Sequence, residues 1–256
     1  MVTSYGSGGD PARSLALLWR TQEPTSRRSK PNLTVAGIVR VASKIADGDG
    51  IGALSMRKVA EQLGVGTMSL YTYVPGKGEL TDLMLDAAYA ELLEGELTGD
   101  WADRLSSIAH ANWQLYLRHP WILQVARGRL MGPNAIARYE RELSAVDGIG
   151  LTDLEMESTV HLVNSYAEGA AQQAVAAGLV ERESGMSDGE WWQTHSSLLG
   201  RFIDDRRFPL ASRVGSASGR AHQELYSADH EFTFGLERIL AGVRDLVDGR
   251  SGDKTG

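Results

Sequence analysis

The chain has 256 residues, 42% of them hydrophobic and 23% charged, with a formal net charge of −7. These values fit an ordinary soluble globular protein and exclude the compositions of collagen-like or disordered chains. With no cysteine, disulfide frameworks and thiolate metal centres are excluded, and a reducing, cytoplasmic location is expected.

In chain order, residues 1–10 are polar and Gly/Ser-rich and do not read as a secretory leader. Leu15-Ala16-Leu17-Leu18-Trp19 is expected to make one or two helical turns after Pro11, and Pro24 and Pro31 bracket a basic run, Arg27-Arg28-Ser29-Lys30. This whole stretch reads as a tether. From Thr34 the pattern becomes helical. Val35, Ile38, Val39, Ala42, Ile45 and Ala46 share one face, and Gly48-Asp49-Gly50 ends the helix. Ser55 is a suitable N-cap for a helix over Met56–Leu63, stopped by Gly64. A short helix from about Thr67 to Tyr73 follows, broken by Pro75-Gly76.

The remainder predicts longer helices. Leu80, Leu83, Met84 and Ala87 line one; Leu105, Ile108, Ala109, Trp113 and Tyr116 line the next, which stops near His119-Pro120. Pro133 opens another. Thr152 and Glu155 have capping-box spacing before a long run with Met156, Val160, Val163, Ala167, Ala170 and Ala174 on one face. Ser187 and Glu190 repeat that spacing ahead of Trp191-Trp192, and Leu225, Phe232, Leu236, Ile239, Val243 and Leu246 stay in register on a last helix. The most apolar stretch, 161–180, carries Asn164, Glu168, Gln172 and Gln173, too polar to span a bilayer. No strand pattern or internal repeat is present, so the expected fold is all-α.

Charge is unevenly placed. Between Arg27 and Gly78 eight Lys/Arg face only Asp47, Asp49 and Glu61, a local +5; residues 1–26 balance, so residues 79–256 carry −12. A basic end on an acidic body is the electrostatic footprint of nucleic-acid binding or a chance clustering of solvated charges. The segment from Leu54 to Val74 favours the first. Two short helices meeting at a sharp turn need a small residue at their approach, Ala60, and one tolerant of positive φ, Gly64. Val59, Leu63, Val65, Leu70 and Val74 then close a small core, leaving Thr67, Met68, Ser69, Thr72 and Tyr73 outside, where a helix seated in the major groove meets bases and phosphates.

Residues 34–93, through "LSMRKVAEQLGVG", "SLYTYV" and "GKGELTDLM", resemble the DNA-binding domain of the tetracycline-repressor (TetR) family. The resemblance implies that Ser69, Tyr71 and Lys77 contact phosphates, that Thr67, Met68 and Thr72 sit where base edges are read, and that Arg57 is a further base or phosphate contact. Each has a plainer alternative: Tyr71 half in the core, Met68 merely exposed, Arg57 and Lys77 solvated. Arg27, Arg28 and Lys30 either track phosphates or the minor groove, or are idle.

Residues 100–178 are similar to the tetracycline-repressor type of C-terminal domain through "HPWIL", "RGRLMGPNAIARYERELSAV" and "VNSYAEGAA". This implies a pocket for a small, fairly apolar effector of unknown identity, for which Trp113, Tyr116, Leu117, Trp121, Met131, Asn164 and Glu168 are candidate walls; the alternative is that these side chains are filled core. One reading head makes few contacts, so a homodimer is expected, paired through the helices near 152–178 and 221–248. The expected organisation is therefore a flexible extension (1–31), a three-helix helix-turn-helix DNA-binding domain (32–78), a helical ligand-binding and dimerisation domain (79–248) and a disordered tail (249–256). The expected function is a repressor that leaves a palindromic double-stranded operator when its effector binds, with no membrane partner, cofactor, metal or catalytic residue. A non-switching architectural DNA-binding protein and an enzyme using His161 or His195 in the C-terminal pocket are the alternatives.

Other patterns fail their context. Asp47-Gly48-Asp49-Gly50 begins like a calcium loop but has Lys58 at its twelfth position, and Gly48, Gly50 and Ala53 follow a helix, not the strand a dinucleotide fingerprint needs. His222, Glu224, Asp229 and His230 do not share one helical face.

Overall fold

The computed structural model describes residues 11–19, 33–125, 131–222 and 227–253; the basic run at 27–30, Leu225 and Glu224 lie outside them. The described residues are helical throughout: α1 (Pro11–Leu18), α2 (Val35–Asp49), α3 (Met56–Leu63), α4 (Thr67–Tyr71), α5 (Lys77–Tyr89), α6 (Trp101–Arg118), α7 (Pro133–Ser144), α8 (Asp153–Ser184), α9 (Asp188–Phe202), α10 (Pro209–His222) and α11 (Ala228–Asp253), with 3-10 turns at 51–53, 90–93 and 120–124. None of these helices is long and apolar enough to cross a membrane.

Capping explains many of the boundaries. Thr34 accepts from the Gly37 N–H, Ser55 from Lys58 N–H, and Asp100 from Ala102 and Asp103 N–H. Such a cap stabilises its helix by about 1 kcal/mol. Both capping boxes expected from spacing form, at Thr152/Glu155 and Ser187/Glu190.

Helices α2–α4 build a head around Ile38, Ala42, Leu54, Val59, Leu70 and Val74, all at most 2% exposed. Helix α5 runs from the head into the body, where α6 packs along α8 and α11 lies against both.

Asp86, buried on α5, caps another helix. Its carboxylate accepts the Asn134 and Ala135 backbone N–H groups (3.1 and 3.0 Å) and the Asn134 side-chain amide (3.1 Å). It thus serves the open N-terminus of α7, where Pro133 supplies no N–H. A Cβ on Gly132 would collide with the Asp86 side chain. Gly132→Ala is therefore expected to lower stability by about 1–3 kcal/mol through overpacking, read as a reduced urea midpoint; an unchanged midpoint would show that the junction has slack.

The helical turns expected after Pro11 form as α1, docked on α5 through buried Leu18, and the Trp19 indole N–H donates to the Met131 carbonyl (2.9 Å); apolar burial makes this part of the extension an anchored element where a tether is expected. Two further expectations differ from the structure. The tail starts later than residue 249, because α11 continues to Asp253. The stretch 221–248 is not one helix: α10 ends at His222 and α11 begins at Ala228.

Candidate nucleic-acid interface

The turn between α3 and α4 is set by Gly64. Its φ of 63° lies in the left-handed region that favours glycine, and its N–H closes α3 on the Ala60 and Glu61 carbonyls. Val65 N–H then reaches back to Ala60 O (3.0 Å), folding the chain sharply into α4. Leu70 is fully buried and pins α4 to the head, while the opposite face is open: Met68 is 78% exposed, Tyr71 41%, and Ser69 and Thr72 are exposed. Thr67 is half-buried at the first position of α4.

Tyr73 departs from expectation. Helix α4 ends at Tyr71, and the following turn, with Tyr73 N–H on Leu70 O, rotates the Tyr73 ring inward to 9% exposure in the head core. It belongs to the packing, not to the open face.

Arg57 lies exposed on α3, paired with Glu61 one turn on (2.9 Å). Lys77 opens α5, half-buried, its ammonium donating to the Ile51 carbonyl (3.3 Å). No side chain caps that helix start, whose N-cap is Gly76. Free N–H groups beside a lysine suit an anion such as a backbone phosphate.

In the body, the proposed pocket walls do not gather at one place. Trp113 and Tyr116 are buried on α6. The Trp113 ring stacks on Phe232 of α11 (centroids 4.5 Å apart, 7° between planes), and its indole N–H is buried with no hydrogen-bond partner. Asn164, half-buried, belongs to a polar network: it accepts from Asn112 (2.7 Å) and donates to Glu142 (3.0 Å), and Arg138 holds Glu142 (2.7 Å). Burial pushes the Arg138 guanidinium down, but Glu142, with Tyr116 and Tyr89 nearby, outweighs it and holds the group above its usual value. Leu117 and Glu168 are half-buried.

Two of the seven are placed elsewhere. Met131 is 52% exposed. Trp121 is buried against the head, its indole N–H donating to Asp47 of α2 (2.8 Å). A cavity of about 190 Å³ opens beside Asn112, Arg138 and Glu142, and a cleft of about 340 Å³ separates α2 from the body beside Trp121; neither is lined by Trp113 or Asn164.

Asp47, Asp86, Glu91, Asn112, His119 and Glu142 were not singled out by sequence reasoning for the contacts they make. Only the Arg138–Glu142 pair carried a sequence signal, its i, i+4 spacing on α7.

A basic helix-turn-helix head on an all-helical body defines a DNA-binding regulator. Residues 95–247 match the family described as "Tetracyclin repressor-like, C-terminal domain". The chain is 40% identical over 255 residues to the HTH-type transcriptional repressor DrrR1 of Streptomyces coeruleorubidus, covering 98% of this chain and 92% of that one. It is 32% identical over 202 residues to an HTH-type transcriptional regulator of Saccharopolyspora erythraea, covering 70% and 85%. Among solved structures, Streptomyces coelicolor ActR in complex with actinorhodin superposes with a TM-score of 0.68 at 26% identity, covering 84% of this chain and 97% of that one. The chain belongs to the TetR family of helix-turn-helix transcriptional regulators, a family of DNA-binding proteins and not of enzymes.

Proposed function

We propose that this chain is a cytoplasmic repressor that binds a palindromic operator as a homodimer and releases it when a small, largely apolar molecule enters the body. The observation that carries the DNA half is the open face of α4, with Met68 and Tyr71 projecting from a helix held by a single buried leucine. Thr67, Met68 and Thr72 read bases; Ser69, Tyr71 and Lys77 hold phosphates, and Arg57 is a further base or phosphate contact.

Pairing runs through α8 and α11, which expose Leu162, Leu179, Phe234 and Leu246. The effector half is supported by ActR, a relative of the same fold solved with actinorhodin, and by the buried, unpartnered Trp113 indole N–H, a donor available to a bound molecule. The effector acts by favouring a body conformation in which α5 carries the two heads out of register.

The test is selection of a duplex from random DNA by the purified protein, followed by salt titration. Lys77→Ala is expected to reduce the log–log salt slope by about 1 and weaken all sequences alike, whereas Met68→Ala changes the preferred sequence. No enrichment of any sequence would refute operator reading. A compound that binds tightly yet leaves affinity for the selected duplex unchanged would refute the release mechanism.

A further inference from the structure

One imidazole bridges a carboxylate of the head and a carboxylate of the body. His119 is the C-cap of α6, and both its ring nitrogens face carboxylates. Nδ1 is 2.7 Å from Asp47 Oδ1 on α2, in the head, and Nε2 is 3.0 Å from Glu91 Oε1 in the turn after α5, in the body. The ring is 17% exposed.

Each carboxylate has its own support. Asp47 Oδ1 also accepts the Trp121 indole N–H (2.8 Å), and Glu91 Oε2 accepts Arg118 (2.8 Å). Partial burial pushes the Glu91 carboxyl up, but the Arg118 and His119 hydrogen bonds outweigh it and hold it below the usual range. Arg40 and Lys44 of α2 line the adjoining cleft.

A neutral imidazole has one N–H and one bare nitrogen, so it can donate to only one of these two carboxylates and turns a lone pair on the other. The imidazolium donates to both, in charge-assisted bonds about twice as strong as neutral ones. Glu91, fixed by Arg118, orients the ring; the ring then grips the head.

We propose that His119 is a positioning residue, a proton-dependent latch that fixes the angle of the DNA-reading head on the body. The sign follows from the chemistry: the latch is closed when the ring carries both protons and loosens as pH rises through the range in which the ring loses one. The contact lies at the end of the helix that carries Trp113 and Tyr116, so movement of α6 strains the same bonds, whatever molecule causes it.

The absence of cysteine makes the test direct. Nitroxide labels are placed at Gln62→Cys on α3 and Glu140→Cys on α7, both exposed positions. Labelled chains are diluted in excess unlabelled chain, so that only distances within one chain register. The head-to-body distance distribution is measured at about pH 5.5 and about pH 8.5, either side of the imidazole range. It is expected to be narrow at the lower pH and to broaden at the higher. In His119→Gln and Asp47→Asn it is expected to be broad at both, with the pH response lost. The chain's other histidines remain in both variants, so a general titration effect would persist there. A wild-type width that does not change with pH, or a pH response retained in His119→Gln, overturns the latch.

Discussion

Phe232→Ala is expected to cost about 3–5 kcal/mol of stability, the range for truncating a buried phenylalanine. Phe232 is 1% exposed and stands at the centre of an aromatic cluster. Trp113 stacks on one neighbour side at 4.5 Å, Tyr166 lies nearly parallel at 5.9 Å, and His110 meets the ring edge-on at 5.0 Å. The ring joins three helices, and Tyr166 adds a hydroxyl donated to the Glu231 carbonyl (2.7 Å). Its removal deletes both the apolar burial and the ring–ring contacts, worth about 0.5–1.5 kcal/mol each. The measurement is the urea midpoint at one fixed protein concentration, because association contributes to the apparent stability of a dimer. Phe232→Leu should lose less than half as much. Benzene or indole added to the alanine variant should restore part of its thermal stability and leave the parent unchanged, since an apolar void binds such molecules. A loss below about 1 kcal/mol would mean that the cluster collapses to refill the space.

The second large effect is expected at Glu142. Glu142→Leu should destabilise the fold by about 3–5 kcal/mol, because it leaves a buried guanidinium without its counter-charge. The side chains of Arg138 and Glu142 are only 13% and 6% exposed, and Asn112 and Asn164 both direct amide donors at the same carboxylate. Arg138 and Asn164 would lose this acceptor at once, and Asn112 would keep only its bond to Asn164. The informative control is Arg138→Met with Glu142→Leu. An ion pair replaced as a whole by apolar groups is often neutral, so the double variant should recover most of the loss. If it is no more stable than Glu142→Leu alone, charge is not the cause.

The head was largely legible because its signals are local. Ser55, Ala60 and Gly64 act within one turn of themselves, so spacing alone places α3 and α4 and leaves Met68, Ser69 and Thr72 outward. Tyr73 was misplaced because its orientation depends on α4 ending two residues earlier than its pattern suggests, a matter of terminal hydrogen bonds that periodicity does not record. In the body, function turns on partners far apart in sequence. His119 reads only as a helix stop and Trp121 as a pocket wall, yet both bind Asp47, and nothing near Asp47 announces that. Glu142 carries no role in the sequence reading, although its partner Arg138 stands one turn away. Helix α10 was not foreseen, since Ser212, Gly215, Ser216, Ser218 and Gly219 give it poor intrinsic propensity. The Trp192 ring of α9 lies against its backbone at Gly219, where a Cβ would collide with it.

The carboxylate that α5 lends to the start of α7 restricts how the connecting helix can travel. Sliding α5 lengthwise by a single turn, 5.4 Å, would carry Asp86 out of reach of Asn134 and Ala135 and uncap a neighbour. Tilting or rolling about Asp86 keeps all three bonds. The two helices are thus keyed like a pivot in a socket: a movement of α5 that kept these bonds would be a swing, with the largest displacement at the far end, where Lys77 sits.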